Sequence, residues 1–294
     1  MNDCLLCEES LSMLYSGISS SYDRAHKYSI GLCTKCQLHQ TVPRPTSRVL
    51  SEIYSEVYAY DLHEAIHPEK SFRARKLANM FGIPDAGCVA IEIGCGEGIL
   101  LKYLQSRGVI VFGCELDKKS VDKANLALGD KRVFNLTVEN FLQEVRVKPE
   151  YIFISHTLEH FENPLRVMKS LHGICGPNTK VIIAVPNISN VKRWFFPRKW
   201  GYWQVPVHIT HFSKQSLNYL LQKAGFQGNK WVYRNSDILT IGNFWFNLFN
   251  LGSGISRVNQ PFISLLSLFS RIHSYTYFFG RNDLIVLCTP KKFD

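Results

Sequence analysis

Short, almost continuously apolar runs alternate with amphipathic stretches from residue 87 to the end of the sequence. Continuous apolar runs are typical of parallel strands that are buried on both faces. The helical stretches between the runs supply the two covering layers, so the pattern predicts a doubly wound α/β sheet. The predicted strands are VAIEI (89–93), VIVFGCE (109–115), YIFIS (151–155), KVIIAV (180–185), GNKWVYR (228–234) and LIVLCT (284–289).

The first 86 residues follow a different pattern. The segment TVPRPTSRV contains two prolines together with serine and threonine, which predicts an extended linker. We therefore predict a small module over residues 1–45 and a helical linker or lid over residues 46–86, with a break at Pro68. The α/β domain then occupies residues 87–294.

A predicted helical insertion at about residues 238–280 interrupts the α/β pattern. The chain is uncharged from Ile238 to Ser256, but asparagines and glycines recur there, and Arg271 and His273 interrupt the apolar residues that follow. Neither half is a clean apolar span, so we predict no transmembrane helix. Two interpretations stay open: a lid or homodimer helix packed on the core, and an interfacial helix that contacts a membrane surface.

The composition is that of a soluble globular protein. The 294 residues carry a formal net charge of +10, with 46% hydrophobic and 20% charged side chains, which excludes a disordered or low-complexity chain. The first residues, MNDCLLCEESL, lack a basic region followed by an apolar run, so we expect no signal peptide and a cytoplasmic location.

Four of the nine cysteines have the spacing of a metal site. Cys4, Cys7, Cys33 and Cys36 form the pattern C-x2-C-x25-C-x2-C. Each pair turns two sulfurs toward one ion, and two pairs complete the tetrahedral thiolate shell of a structural zinc centre. Because four protein ligands leave no open position, the predicted zinc is structural. The other five cysteines are predicted to be small core residues.

A glycine-rich turn follows the first predicted strand. In the segment Glu92–Gly98, glycines allow a sharp turn and let a ligand approach the backbone at a helix N-terminus. Glu115 ends the second predicted strand, where a carboxylate accepts hydrogen bonds from ribose hydroxyls. Ile99 stands where a dinucleotide site needs a third glycine, so the pattern favours a nucleoside ligand without phosphates.

These motifs, together with SHTLEHFENP, IIAVPN and HFSKQSLNYLLQKAGF, resemble the class I S-adenosylmethionine-dependent methyltransferases over about residues 45–292. The resemblance implies a Rossmann-like, seven-stranded sheet, S-adenosylmethionine (SAM) as cofactor, and methyl transfer. It places Glu92 near the methionine amino group and Glu115 at the ribose. The implied cofactor-binding residues are Glu92, Gly94, Cys95, Gly96, Gly98, Glu115, Leu116, Glu139, Asn140, Ser155, His156 and Tyr60.

The four-cysteine module and the Tyr-rich segment IYSEVYAY also resemble the zinc-bearing methyltransferases of sugar and glycan biosynthesis. This implies C- or O-methylation of a sugar, nucleotide-sugar or glycan-related acceptor. In that group a histidine before an F-S motif acts as base, and His208 in VPVHITHFS occupies its place, with His156 and His211 as second choices. Val207 replaces the glutamate of those relatives, so O-methylation fits equally well.

Other functions stay open. One alternative is a small-molecule, lipid or quinone-like O-methyltransferase, and another is a non-catalytic binding protein with this fold. A catalytic divalent ion in the turn SHTLEH is not favoured, because His156 replaces the first carboxylate of that metal motif. The aromatic segment 192–211 is interpreted either as a surface that stacks on a sugar or base, or as core packing. Nucleic acid is not favoured, since the basic residues are spread along the chain.

Overall fold

The computed structural model describes residues 3–20, 22–23, 25–59, 67–82, 84–190, 192–195, 197–234 and 282–291. Tyr60 and the predicted insertion at about 238–280 lie outside the described residues. Within the described part, no helix is long and apolar enough to cross a lipid bilayer.

A seven-stranded mixed sheet forms the centre of the α/β domain, as the sequence and the family resemblance predicted. Its strands are β4 (Val89–Ile93), β5 (Ile110–Cys114), β6 (Val133–Phe134), β7 (Tyr151–Ser155), β8 (Lys180–Pro186), β10 (Phe226–Arg234) and β11 (Asp283–Pro290). Their order in the sheet is β10-β11-β8-β7-β4-β5-β6, and only β11 runs antiparallel to its neighbours. The six predicted strands are all present, whereas the two-residue β6 was missed because it is too short to produce a pattern.

Helices cover both faces of this sheet, and two more precede it. The helices are α1 (Ser47–Ala59), α2 (His67–Met80), α3 (Ile99–Gln105), α4 (Lys118–Leu128), α5 (Val138–Glu144), α6 (Pro164–Ile174), α7 (Lys192–Phe195) and α8 (Lys214–Lys223), with a short 3₁₀ helix at Leu158–His160. Alternate residues of β7 enter opposite layers: Ile152 and Ile154 join one buried cluster, and Phe153 joins the other. Burial on both faces explains why the strands read as continuous apolar runs.

The N-terminal cysteines belong to a second, four-stranded sheet. Its strands are β1 (Ser12–Ser19), β2 (Lys27–Leu32), β3 (His39–Val42) and β9 (Thr210–His211), in that order. The last strand comes from the distant α/β part of the chain and pairs Thr210 with Gln40. The backbone N–H of Thr41 also donates to the carbonyl of Ile209 at 2.9 Å. The module is therefore joined to the α/β domain by backbone hydrogen bonds.

The aromatic segment between α7 and β9 forms core rather than an open stacking surface. Trp200 and Trp203 pack with Tyr28 and Ile30 of β2, and Trp203 is 1% exposed. The indole nitrogen of Trp203 donates to the carbonyl of Pro197 at 2.7 Å. The interpretation of these two indoles as sugar-stacking groups is therefore wrong, and only Trp194, at 74% exposure, presents a free aromatic surface within the described part of this segment.

Candidate functional site

The glycine turn between β4 and α3 is hydrogen-bonded to the end of β5. The N–H groups of Gly94 and Cys95 donate to the carbonyl of Cys114 at 2.9 and 3.2 Å. Gly94 adopts φ of 68°, and a Cβ there would clash with the side chain of Thr157, so the position requires glycine. The turn thus brings bare backbone to the carboxyl edge of the sheet.

Glu115 is held in place by three backbone N–H groups. Its Oε2 accepts from Gly96 at 3.0 Å, and its Oε1 accepts from Leu116 at 2.7 Å and Asp117 at 3.1 Å. An ionised carboxylate offers about four acceptor positions, so capacity remains for a further donor. The carboxylate is therefore preorganised beside the glycine turn.

Glu92 is a buried carboxyl group close to Glu115. Its side chain is 6% exposed, and its Oε2 has no hydrogen-bond partner among the described residues. Burial, followed by the negative charge of Glu115, raises the pKa of Glu92 well above its ordinary value. Buried polar atoms are normally paired, so this oxygen fits a positively charged or donating ligand atom.

His156 lies between two carboxylates at the end of β7. Its Nδ1 is 3.7 Å from Oε1 of Glu159, and its Nε2 is 3.6 Å from Oδ1 of Asp283. Burial alone would lower the pKa of His156, but the two carboxylates outweigh it and raise the pKa to about 10. The side chain is 34% exposed but its Nε2 is buried, so a ligand can reach only part of this ring.

Asp283 connects His156 to a buried arginine. Its Oδ2 accepts from Nε and Nη2 of Arg234 at 3.0 and 2.8 Å, across the antiparallel pair β10–β11. Burial would raise the pKa of Asp283, yet His156 and Arg234 hold it below its usual range. Neither residue was predicted from the sequence. Asp283 precedes one predicted strand and Arg234 ends another, and these positions do not reveal that the two strands are neighbours.

A second cluster of polar side chains surrounds Glu159, which lies in the 3₁₀ helix. This side chain is 1% exposed, and neither carboxylate oxygen has a hydrogen-bond partner within the described ranges. Nε2 of His208 lies 4.0 Å from its Oε1, while Nδ1 of His208 donates to the carbonyl of Tyr202 at 2.9 Å. Burial, followed by nearby His160, lowers the pKa of His208 to about 4.

His160 ties the 3₁₀ helix to the segment before β9. Its Nδ1 donates to the carbonyl of Val207 at 2.9 Å and lies 3.1 Å from the hydroxyl of Tyr54. A carboxylate oxygen of Glu159 and one ring nitrogen each of His160 and His208 lie within 4.8 Å of one another. These three side chains are able to hold a metal ion.

The other predicted site residues occupy varied positions. Glu139 is engaged by Arg166, whose Nη2 lies 2.7 Å from its Oε1, and Leu116 is exposed after Glu115. His211 is buried with Nε2 3.1 Å from Oγ1 of Thr41, and burial lowers its pKa well below the ordinary value.

The structure brings most of the predicted cofactor-binding residues together at the carboxyl ends of β4, β5 and β7. They are Glu92, Gly94, Cys95, Gly96, Gly98, Glu115, Ser155 and His156.

The four cysteines predicted as metal ligands form one cluster. Their sulfur atoms lie within 4.8 Å of one another. The two C-x2-C segments share one backbone pattern: the N–H groups of Glu8 and Gln37 donate to the carbonyls of Cys4 and Cys33, each at 2.9 Å. Two equivalent turns that bring four sulfur atoms together fit the thiolate shell of a tetrahedral metal site.

Comparisons with known proteins agree with this geometry. A family described as "Methyltransferase domain" matches residues 58–229, more than half of the chain. A ubiquinone biosynthesis O-methyltransferase from Vibrio vulnificus (strain YJ016) is 27% identical over 114 residues, which cover 37% of this chain and 48% of that protein. One from Acinetobacter baylyi is 26% identical over 116 residues, with 38% and 48% covered. The chain therefore spans about half the length of the curated relatives it matches.

Solved structures agree in fold. A SAM-dependent methyltransferase from Archaeoglobus fulgidus superposes with a TM-score of 0.53 at 18% identity, covering 76% of this chain and 94% of that chain. A methyltransferase from Haloferax volcanii, in complex with the Trm112 methyltransferase activator, has a TM-score of 0.53 at 12% identity, covering 77% and 92%. With the family match over residues 58–229, these findings place the chain in the methyltransferase-domain family of S-adenosylmethionine-dependent enzymes.

Proposed function

We propose that the protein transfers a methyl group from SAM to a hydroxyl oxygen of a small-molecule acceptor. The observation that carries the proposal is the preorganised Glu115 carboxylate beside the glycine turn, with the unpaired, buried oxygen of Glu92 next to it. These groups match the ribose hydroxyls and the methionine amino group of SAM. The acceptor is proposed from the relatives and from the polar groups at the end of β7.

SAM supplies an electrophilic methyl carbon on a positively charged sulfur. Glu115 accepts hydrogen bonds from the ribose, Glu92 receives the amino group, and Gly94, Cys95, Gly96 and Gly98 present backbone to the cofactor. Leu116, Glu139 and Asn140 flank the adenine, and Ser155 and His156 lie beside the methionyl portion. Tyr60, outside the described residues, remains a predicted cover for the cofactor.

The matched relatives support a hydroxyl acceptor. They carry the name ubiquinone biosynthesis O-methyltransferase, which favours a small-molecule or quinone-like acceptor over the sugar that the sequence resemblance implied. A hydroxyl becomes a stronger nucleophile as it loses its proton, and nearby positive charge stabilises the resulting oxyanion. The cationic His156, held by Glu159 and Asp283, supplies such charge at the end of β7.

Incubation with isotopically labelled SAM and two acceptor sets tests the reaction. We expect labelled methyl in phenols with adjacent hydroxyl groups, detected by mass spectrometry as a gain of one methylene, and none in nucleotide sugars. Label found only in nucleotide sugars would support a sugar acceptor instead. Label found on a carbon atom of the acceptor would contradict O-methylation. Heat-inactivated protein is the control for spontaneous methylation.

Replacement of Glu115 by alanine tests the cofactor site. Loss of a charged acceptor typically costs about 1.5–3 kcal/mol, which corresponds to about 10- to 150-fold weaker SAM binding. Isothermal titration calorimetry measures the change. Glu150→Ala is the matched control, because Glu150 accepts from Val89 N–H at the opposite end of β4 and should leave the affinity unchanged. Equal affinity of Glu115→Ala and the native protein would contradict the assignment.

Replacement of Glu92 by glutamine is expected to raise stability and weaken SAM binding. The folded-state pKa of Glu92 lies above the unfolded value of about 4.5, so its ionisation opposes folding as pH rises through that range. Glutamine removes this charge, so the melting temperature without SAM should increase at pH 8 and match the native protein below about pH 4.5. Thermal unfolding at both pH values, with calorimetry of SAM, measures this. A lower melting temperature at pH 8 with unchanged SAM affinity would show that Glu92 is structural.

For the four-cysteine cluster we propose a structural zinc ion. Metal binding there is coupled to folding, because the sulfurs converge only in the folded module. The double variant Cys33→Ser/Cys36→Ser should lose one equivalent of zinc per chain by elemental analysis. Cys175→Ser, which changes a cysteine outside the cluster, is the control and should retain it. Equal zinc content in the double variant and the native protein would refute the site.

A further inference from the structure

Arg193 is a half-buried cation whose hydrogen bonds go to uncharged oxygens. Its Nε donates to the carbonyl of Ile188 at 2.8 Å, and its Nη1 donates to the hydroxyl of Tyr15 at 3.2 Å. Burial lowers the pKa of its guanidinium below the ordinary value. No carboxylate among the described residues pairs with it. A guanidinium keeps its charge in proteins, so an anion near it would be stabilised.

The guanidinium retains unused donors. Of its five N–H groups, one on Nε and one on Nη1 are engaged by the bonds above. The second N–H of Nη1 and both N–H groups of Nη2 have no acceptor in the part of the chain that the structure describes. Such donors lie on adjacent nitrogens of a planar group, and this arrangement matches two oxygens of a carboxylate or a phosphate.

Tyr15 places a second kind of donor beside the guanidinium. Its hydroxyl oxygen accepts from Arg193, so its own hydrogen is directed to another acceptor, and no described residue supplies one. The ring of Tyr15 packs against that of Trp203, with centroids 5.9 Å apart, so the hydroxyl is fixed in place. Two neighbouring groups therefore offer donors without an acceptor between them, which is the arrangement of an anion-binding site.

The indole of Trp194 covers one face of the guanidinium. Cζ of Arg193 lies 5.5 Å from the centroid of this ring, and the indole side chain is 74% exposed. Contact with an aromatic face stabilises a cation without engaging its N–H groups. The exposed part of the ring offers apolar contact to the carbon skeleton of a ligand. This favours an organic anion over a free inorganic ion.

The pair lies on the edge of the sheet that carries the candidate site. Tyr15 belongs to β1, and the arginine belongs to α7, which follows the carboxyl end of β8. At that end the N–H of Asn187 donates to the carbonyl of Asn282 at 2.7 Å, and the next residue, Asp283, contacts His156. The segment that carries the arginine is therefore joined by backbone to the strand that reaches His156.

Buried rings separate the pair from the polar groups at the end of β7. The ring of Trp203 lies 5.9 Å from that of Tyr15 and 4.8 Å from that of His211, measured between centroids. Trp203 is 1% exposed, so no ligand passes through this position. A ligand that reaches both places has its anionic group remote from the group that lies near His156.

We propose that Arg193 and Tyr15 bind a carboxylate or phosphate at the end of the acceptor remote from the reacting hydroxyl, an inference that rests on the proposed function. Residues 192–199 contain four basic and no acidic side chains, so the local charge also favours an anion. The four-cysteine module, through β1, then contributes a binding group to the acceptor site. The acceptor class is thereby narrowed to anionic hydroxyl compounds.

Calorimetry with small anions tests the site without measuring activity. Phenyl phosphate and benzoate each carry an oxyanion on an aromatic ring, and benzamide is the neutral match of benzoate. We expect the full chain to bind at least one of the two anions about 10-fold more tightly than benzamide, because charge strengthens the hydrogen bonds. The tighter anion identifies the group that the site takes. No binding of either anion, or binding of benzamide as tight as that of both, would overturn the proposal.

Two variants test the two donors separately. Arg193→Gln removes the charge, and Tyr15→Phe removes only the hydroxyl and keeps the ring that packs on Trp203. Each should weaken binding of the tighter anion by about 10-fold or more. Arg198→Gln changes an exposed basic residue of the same segment, so it is the matched control and should bind like native protein. Undiminished binding in either test variant, or an equal loss in Arg198→Gln, would refute the site.

Calorimetry of SAM shows whether the variants are folded. Neither Arg193 nor Tyr15 belongs to the proposed cofactor site, so both variants should bind SAM like native protein. If Arg193→Gln loses SAM binding, Tyr15→Phe decides the question, since it removes a single oxygen atom.

Kinetics with tailed acceptors links the anion site to the reaction and separates it from the proposed function. The acceptors are dihydroxyphenyl compounds with a chain that ends in a carboxylate, a phosphate or an amide. In native protein the KM of a charged acceptor should be about 10-fold below that of the amide, and Arg193→Gln should abolish this difference with kcat unchanged. Equal KM values in native protein would refute an anionic acceptor and leave O-methylation intact. Anion binding by calorimetry without methylation of any acceptor would refute the proposed function and leave the anion site intact.

Discussion

The parallel register of β5, β4 and β7 sets the position of the glycine turn and of the polar groups that end these strands. In this register Glu92 of β4 lies opposite Gly113 of β5 and Phe153 of β7, so the three strands end at the same edge of the sheet. Each strand is followed at this edge by a polar segment: the glycine turn, Glu115, or Ser155 with His156. A shift by one residue would move the buried side chains to the opposite face, and the apolar cores on both faces prevent it.

Burial of charge distinguishes this edge from the rest of the core. Glu92, Glu159 and Asp283 are buried carboxyl groups. Asp283 is paired with Arg234, and Glu159 lies 3.7 Å from the ring of His156, whereas Oε2 of Glu92 has no hydrogen-bond partner among the described residues. An uncompensated buried charge lowers stability. The protein thus holds Glu92 in a state that a bound cationic or hydrogen-bond-donating group would stabilise, which is the physical reason to expect a ligand there.

Ile209 helps to couple the four-cysteine module to this edge. The N–H of Ile209 donates to the carbonyl of Glu159, and its carbonyl accepts from the N–H of Thr41, both at 2.9 Å. The hydroxyl of Thr41 donates to the carbonyl of His208 at 2.6 Å. A metal ion that orders the module would therefore also order the segment that carries His208. The zinc ion proposed for the module would in this way help to position the site without contacting substrate.

The sequence by itself determined six strands of the central sheet, the glycine turn, Glu115 and the four cysteines, because each depends on residues that are close in the chain: apolar runs, a turn, or paired thiols. The tertiary structure decided the contacts between distant segments. Asp283 reaches His156 because β11 pairs with β8, and His208 reaches Glu159 because Ile209 is hydrogen-bonded to the 3₁₀ helix. Trp200 and Trp203 became core because β2 lies against them. Such contacts leave no periodic signal, since they arise from the packing of elements rather than from local conformational preference.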